Sequence, residues 1–350
     1  MIITNTEHNE FTQYVRILAR GRNASRDMTQ QEAKHAMELL LAGKALPEQL
    51  GAFFMLMRVK EETPEELAGF AEACTPLWQD LSADIIWPSY AGKRRQPLWY
   101  LLSMQLIKDA GYSILIHGSH SHTADRQFTA DLCSDFGINV ATSHADASAL
   151  LSKEKIAYLP CDILHPEFQN WLMTKHTLGL RSPMNTLFRL IAPKGCAGVQ
   201  SVFHPNYGKV HQAACQLIGK EALIMKGEGG EFENNPERTT QCIFTNRPEI
   251  EKVTGLQSHF DGKHTIPNKQ ALLELWLNEN PSSMIKCWYN RKTVQKKDSV
   301  IKRDDIVMVR YGATAGFVGR GLGGVLANNL FKISFEKSVL DNEYFYYLLN

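Results

Sequence analysis

The spacing of apolar residues changes character near Ile85, and that change constrains the fold more than any other feature of this 350-residue chain. Before it, apolar residues recur at helical spacing. Thr29-Gln30-Gln31-Glu32 reads as a capping box, opening a stripe of Ala33, Ala36, Met37, Leu40 and Leu41 that Gly43 stops. Pro47 starts a second helix, whose Leu50, Phe53, Phe54 and Met57 run on to Lys60. Thr63-Pro64-Glu65-Glu66 then supplies an N-cap, a proline at the first helical position and a glutamate at the third. Residues 1–80 are therefore expected to form a small helical domain.

After Ile85 the apolar runs become short. Ile85-Ile86-Trp87, Ser113-Ile114-Leu115-Ile116, Ile138-Asn139-Val140, Ile156-Ala157-Tyr158-Leu159 and Ala222-Leu223-Ile224-Met225 alternate with helix-like segments at 98–110, 124–136 and 204–218. Strands alternating with helices imply β-α-β units and a mostly parallel sheet covered on both faces. Ligands of such sheets bind beyond the carboxyl ends of the strands. Two loops there carry chemistry: Tyr90-Ala91-Gly92-Lys93-Arg94-Arg95-Gln96 and His117-Gly118-Ser119-His120-Ser121-His122. They are expected to share one cleft, within an α/β domain over 81–283.

Beyond about 245 the pattern weakens. Residues 286–303 hold Lys286, Arg291, Lys292, Lys296, Lys297, Lys302 and Arg303 against the single acid Asp298, marking a change of composition. Ile306-Val307-Met308-Val309-Arg310-Tyr311 and Leu330-Phe331-Lys332-Ile333-Ser334-Phe335 then alternate in period two around a glycine-rich turn. Residues 284–350 are thus expected to be a basic linker and a short β-rich appendage. The sequence stops inside an apparent helix, 341–350, as an incomplete module would.

An apolar content of 44% allows a sizeable core, and a net charge of +1 leaves the question of nucleic acid to local charge distribution. The seven cysteines are scattered, odd in number and without a Cys-x-x-Cys pair, as expected of reduced thiols in a cytoplasmic protein. No signal-peptide pattern and no run of about 18 apolar residues is present, so no membrane association is expected.

The loop at 90–96 is an anion-binding loop of an unusual kind. Loops that wrap one phosphate use glycine backbone N–H groups, whereas Lys93, Arg94 and Arg95 reach outward and suit an extended polyanion. An acid-free tract with Arg16, Arg20, Arg22 and Arg26 reads either as solvated surface or as a second wall of the same cleft. Arg189, Lys194 and Lys209 extend the candidate surface, and His117 is a candidate phosphate contact. His117-x-x-His120-x-His122 lacks an acidic or cysteine partner at useful spacing, so no metal site is assigned. Glu228, Glu231 and Glu233 read as a solvated loop. No nucleophile constellation stands out.

Met28-Thr29-Gln30-Gln31-Glu32-Ala33, Leu50-Gly51-Ala52-Phe53-Phe54-Met55-Leu56-Met57-Arg58-Val59-Lys60 and Glu62-Thr63-Pro64-Glu65-Glu66-Leu67-Ala68-Gly69 resemble the anthranilate phosphoribosyltransferase family, glycosyltransferase family 3. Leu178-Gly179-Leu180-Arg181 with Asn185, and Gly227-Glu228-Gly229-Gly230, are further echoes. The resemblance, over about 10–245, implies an α/β fold of the phosphoribosyltransferase (nucleoside phosphorylase-like) type with a small N-terminal helical domain. It also implies a homodimer paired through that domain. It places Lys175 and Arg181 where the family recognises its acceptor carboxylate, and sets the Arg16 to Arg26 tract beside the loop.

The catalytic motifs depart from that family. Its Gly-Thr-Gly-Gly-Asp loop for phosphoribosyl pyrophosphate is replaced by Tyr90-Ala91-Gly92-Lys93-Arg94. Its Lys-His-Gly-Asn-Arg motif survives as Ile116-His117-Gly118-Ser119-His120, and its metal-binding Asp-Glu pair is replaced by Phe232-Glu233. These departures, with Ser201-Val202-Phe203-His204-Pro205 and Lys226-Gly227-Glu228-Gly229-Gly230-Glu231, resemble the divergent YbiB-like branch, which implies non-specific nucleic-acid binding. The tail, through Asp305-Ile306-Val307-Met308-Val309-Arg310-Tyr311-Gly312-Ala313-Thr314-Ala315-Gly316 and Leu340-Asp341-Asn342-Glu343-Tyr344, resembles part of a target-recognition domain of type I restriction specificity subunits, as a fusion or frameshift would leave.

The expectation is a homodimeric cytoplasmic protein that binds nucleic acid, DNA foremost, through its phosphates, with little base specificity and transferase activity lost. Its surface would be Arg16, Arg20, Arg22, Arg26, Lys93, Arg94, Arg95, His117, Lys175, Arg181, Arg189, Lys194 and Lys209. No cofactor is required on this reading. The alternative is a glycosyltransferase acting on a phosphoribosylated or nucleotide substrate, with Mg²⁺.

Overall fold

The computed structural model describes residues 9–253, apart from 22, 95, 96, 235–238, 248 and 249, together with short strands between 300 and 333. The helical part contains α1 (Thr12–Ala19), α2 (Gln30–Leu41), α3 (Pro47–Lys60) and α4 (Pro64–Cys74). Both expected capping boxes form. Thr29 and Thr63 each accept from the N–H of the glutamate at the third position, at 3.2 Å, and each donates its own N–H to that carboxylate at 2.9 Å. Glu66 does more than cap. Fully buried, it also accepts from the Met28 N–H and the Lys60 ammonium, tying the starts of α2 and α4 to the end of α3. Gly69 is the point of closest approach, since a Cβ there would lie 2.2 Å from the Gln30 carbonyl oxygen of α2.

The α/β part follows as β1 (Ile85–Ser89), α5 (Tyr100–Asp109), β2 (Ile114–Gly118), α6 (His144–Glu154), β3 (Ile156–Pro160), α7 (Cys161–Leu164), α8 (Glu167–Met173), α9 (Lys175–Leu178), α10 (Met184–Leu187), β4 (Ala197–Val202), α11 (Tyr207–Leu217), β5 (Ala222–Lys226), β6 (Thr240–Phe244) and β7 (Ile250–Val253). One sheet has the order β3-β2-β1-β4-β5-β6-β7; β1 to β5 are parallel and the last two strands are antiparallel. Alternate residues of its buried strands face two cores. Ile85, Trp87, Ile114, Ile116 and Leu223 pack with Leu101 and Met104 of α5. Ile86, Leu115, Leu159 and Ile224 belong to a cluster that continues into Phe53, Leu67 and Phe70 of the helical part. The helices and the sheet therefore share one core.

Two expectations are corrected and one strand is added. Residues 124–136 are not a helix but contain two 3₁₀ turns, Thr129–Asp131 and Ser134–Phe136, and the second ends at Gly137 in the left-handed region. Of 138–140, only Val140 bridges to Tyr158. The strand β4 was not foreseen, because Gly198, Gln200 and Ser201 break the apolar run. Gln200 is nonetheless fully buried, its amide oxygen 2.8 Å from Nδ1 of His211 on α11, so the polar residue is satisfied inside.

The tail forms β8 (Val300–Ile301), β9 (Ile306–Val309), β10 (Val318–Gly319), β11 (Gly324–Val325) and β12 (Leu330–Ile333). Antiparallel pairing of β9 with β10 and β12 accords with the period-two alternation. Nearly all of the basic run at 286–303, and residues 310–316 and 340–344 of the restriction-like resemblance, lie outside the described residues.

Candidate functional site

Strand order reverses between β1 and β4, so the loops leaving their carboxyl ends diverge and open a crevice. Loop 90–96 sits there. Its Ala91 and Gly92 N–H groups point together, as in a phosphate-binding turn, and both donate to Oε1 of Glu231, at 2.8 and 2.6 Å. Gly92 is in the left-handed region at φ +62, and a Cβ there would stand 2.9 Å from the Gln127 carbonyl oxygen. Backbone bonds of 2.9 Å in both directions between Lys93 and Gln127 fix the turn.

Lys93 is buried, with its ammonium on Oε1 of Glu233. The other oxygen of Glu233 accepts from the N–H of Tyr100, the first residue of α5, at 3.2 Å. Arg189, also buried, donates to the Ser201 carbonyl at 2.9 Å and favours the ionised form of Glu231. Burial pushes both carboxyls up; the loop N–H groups and Arg189 oppose this at Glu231, and Lys93 opposes it at Glu233. Loop N–H groups, a lysine and a helix N-terminus are the donors with which an α/β protein holds a phosphate. In this chain its own carboxylates satisfy all three.

Two readings of the sequence are thereby corrected. Lys93 is not an outward-reaching cation, and Glu231 and Glu233 are not a solvated loop. As they stand, these residues do not fit a magnesium-bound pyrophosphate. The donors the pyrophosphate would need are taken, and Glu233 is committed to Lys93 and Tyr100.

A different set of cations lines the crevice. Arg126 donates through Nη1 to the carbonyls of Ala91 and Gly92, each at 2.7 Å, and of Gly229 at 3.2 Å, strapping the two loops together. Burial and the neighbouring charges of Arg126 and Arg58 push Arg181 below its usual range; burial, Arg181 and Arg126 do the same to Lys175. The Lys175 ammonium donates to Nδ1 of His122 at 3.0 Å and to the Thr123 hydroxyl. His122 gives its Nε2–H to the Tyr90 carbonyl at 3.0 Å, which assigns the tautomer, and burial holds the ring neutral, its pKa lowered to about 4. Among the described residues, none of Arg58, Arg126, Lys175 and Arg181 forms an ion pair. Arg126, Lys175 and Arg181 repel one another until an anion arrives, while Arg58 has the Glu62 carboxyl as a neighbour.

The remaining expected residues divide. Arg94 is exposed, 3.6 Å from Asp125. Arg22 and Arg95 lie outside the described residues. His117 is corrected from a phosphate contact to a core residue: it is fully buried and held neutral by desolvation, with Nδ1 2.8 Å from the Tyr90 hydroxyl. Arg189 likewise lies under the loop rather than on the surface. Lys194 belongs to the opposite end of the sheet, lining a cavity of about 800 Å³ with Asp84, Ser113 and Lys220 at the amino ends of the strands. Lys209 is exposed in the first turn of α11, at the carboxyl end of β4.

Arg16 and Arg20 are exposed at the end of α1, which packs on α3 and, through Tyr14 and His35, on α2. Arg26 is taken by Glu32 in a two-pronged pair of 2.7 and 2.6 Å that lowers the Glu32 pKa to about 2. The helical part meets the crevice instead through Arg58 and through Glu62. Burial raises the Glu62 pKa to about 7, and its Oε2 accepts from the Tyr207 hydroxyl of α11 at 3.2 Å. Sequence reasoning missed Arg58 and Arg126. The second was hidden by reading 124–136 as helix, although its place shortly after β2 was the available signal.

The architecture is a small helical domain on an α/β domain, the fold of the anthranilate phosphoribosyltransferases. Residues 12–75 match the helical bundle domain of the glycosyl transferase family. The chain is 28% identical to the uncharacterized protein YbiB of Escherichia coli (strain K12) over 248 residues, 68% of this chain and 77% of that protein. It is 26% identical to the anthranilate phosphoribosyltransferase of Metallosphaera sedula, over 65% of this chain and 67% of the enzyme. Among solved structures, the anthranilate phosphoribosyltransferase of Thermus thermophilus superposes with a TM-score of 0.57 at 20% identity, covering 70% of this chain and 73% of its own. The Saccharomyces cerevisiae enzyme in complex with PRPP and Mg gives 0.54 at 16% identity, over 69% and 72%. No helix among the described residues is long and apolar enough to cross a membrane.

Proposed function

We propose that this chain binds a nucleic acid, DNA foremost, by its phosphate backbone, with little base specificity, and that it has lost phosphoribosyl transfer. One contrast carries the reading. The donors of a transferase's phosphate cradle are filled by Glu231 and Glu233, while Arg58, Arg126, Lys175 and Arg181 gather at the crevice with no ion-pair partner among the described residues. A cradle that holds its own carboxylates has no place for a buried pyrophosphate. An unneutralised wall suits repeated phosphates along a strand. Exposed Arg94 and Lys209 lengthen the track, and of the Arg16 to Arg26 tract Arg26 is already paired with Glu32. The homologous enzymes favour a second reading, a transferase that needs Mg²⁺, in which the two carboxylates would first have to leave the cradle.

A homodimer through the helical domain accords with the exposure of Val59 and Leu46, 81% and 51%, on and beside α3. Cytoplasmic residence accords with the free, buried cysteines of the described residues. DNA affinity measured against salt, with phosphoribosyl pyrophosphate as competitor, separates the two functions. A steep salt slope without competition is expected. Saturable, Mg²⁺-dependent phosphoribosyl pyrophosphate binding that displaces DNA, or no DNA binding at low salt, overturns the first reading. The restriction-like tail has no part in it, so deleting residues 286–350 leaves DNA affinity unchanged.

A further inference from the structure

The loop after β4 is the other half of the switch-point crevice, and it carries an aromatic that core packing does not use. Phe203 is 53% exposed, although it directly follows the buried Ser201 and Val202. Its place is fixed on both sides. The Val202 carbonyl accepts from the Gly227 N–H at 3.1 Å, so Phe203 leaves the sheet beside segment 227–230, whose Gly229 carbonyl Arg126 holds. Four residues later, Tyr207 reaches Glu62, the neighbour of Arg58. His204 braces the Phe203 ring edge-on, with centroids 4.9 Å apart and planes at 82°, and Lys209 stands exposed in the first turn of the helix that follows. A braced ring with an open surface, near cations that form no ion pair among the described residues, has the composition of a base-stacking platform. Cations track the backbone, and the ring accepts the face of any base.

We propose that Phe203 stacks an unpaired base, and that the nucleic acid this crevice prefers is single-stranded. The inference rests on the reading that the crevice holds a nucleic acid. In a duplex the base faces are stacked on each other and closed to a side chain; in a single strand they are open. Stacking needs no particular base, so the preference is for strandedness and not for sequence.

The test uses the full chain with three probes at one low salt concentration: a labelled thymidine oligonucleotide of about 16 nucleotides, a duplex of the same length, and inorganic polyphosphate. The single strand is expected to bind tightest. Phe203→Ala weakens it about tenfold and leaves duplex and polyphosphate within about twofold; Phe203→Trp restores single-strand affinity, and the added indole is quenched on binding. Thermal melting of each variant accompanies the titrations. If Phe203→Ala leaves the single strand unaffected, or weakens polyphosphate equally, stacking is wrong while the phosphate reading stands. If none of the three probes binds, both fail together.

Discussion

The filled cradle and the bare wall lie in one crevice and are opposites. Loop 90–96 gathers three cations in sequence, yet the one nearest its turn, Lys93, is buried and neutralised. Arg58, Arg126 and the pair Lys175 and Arg181 come from three separate stretches of the sequence, and the fold brings them together with no ion pair to any of them among the described residues. Local charge density in the sequence therefore does not mark where unpaired cations gather in the fold. A cation beside a tight turn is within reach of whatever loop folds over it, and here that loop carries Glu231 and Glu233. Cations contributed by three separate stretches of the chain share no such loop.

The largest test of this contrast is Lys93→Ala. If Lys93 neutralises a buried carboxylate, its loss strands Glu233 and costs about 3–5 kcal/mol in denaturant unfolding. A cost below about 1 kcal/mol would return Lys93 to the surface, as an exposed cation. Next comes the bare wall. Arg58→Glu with Arg181→Glu should weaken DNA binding about 100-fold at low salt, equivalent to about 2.7 kcal/mol, and flatten the salt slope by about 2. An unchanged slope would place the phosphates elsewhere.

Glu62 sharpens the boundary between the two parts of the chain. Its folded pKa of about 7 lies above the ordinary value of 4.5, so the folded state binds the extra proton. Its contribution is therefore complete below about pH 4.5 and is lost as pH rises through 7. Glu62→Gln should leave stability near pH 4.5 unchanged and raise it by about 1–2 kcal/mol at pH 8. Equal effects at both values would mean that the carboxyl is solvated. The smallest effect belongs to Thr63→Ala, which removes the α4 cap at a cost of about 1 kcal/mol, while DNA affinity and its salt slope stay unchanged.

Helices and turns whose causes are local were legible in the sequence. Thr29 with Glu32, Thr63 with Glu66, and Gly43 after α2 act within a few residues of themselves, and apolar periodicity marks β1, β2, β3 and β5 because both faces of those strands are buried. Gln200 in β4, and the further partners of Glu66 beyond its cap, could not be read in this way. These partners, His211 and Cys215 for Gln200 and Met28 and Lys60 for Glu66, are fixed only once elements pack.

The sequence by itself determined that an anion-binding loop would follow β1, since a glycine and three cations gather directly after an apolar run. Only the tertiary structure decided which anion fills that loop. Glu231 lies 139 residues beyond Gly92, and its carboxylate reaches the loop because β5 lies beside β4, and β4 beside β1. The same packing left Arg181 beside Arg126 and Arg58, so the charge available to a partner is set by which acids the fold consumes and not by where the basic residues cluster in the chain.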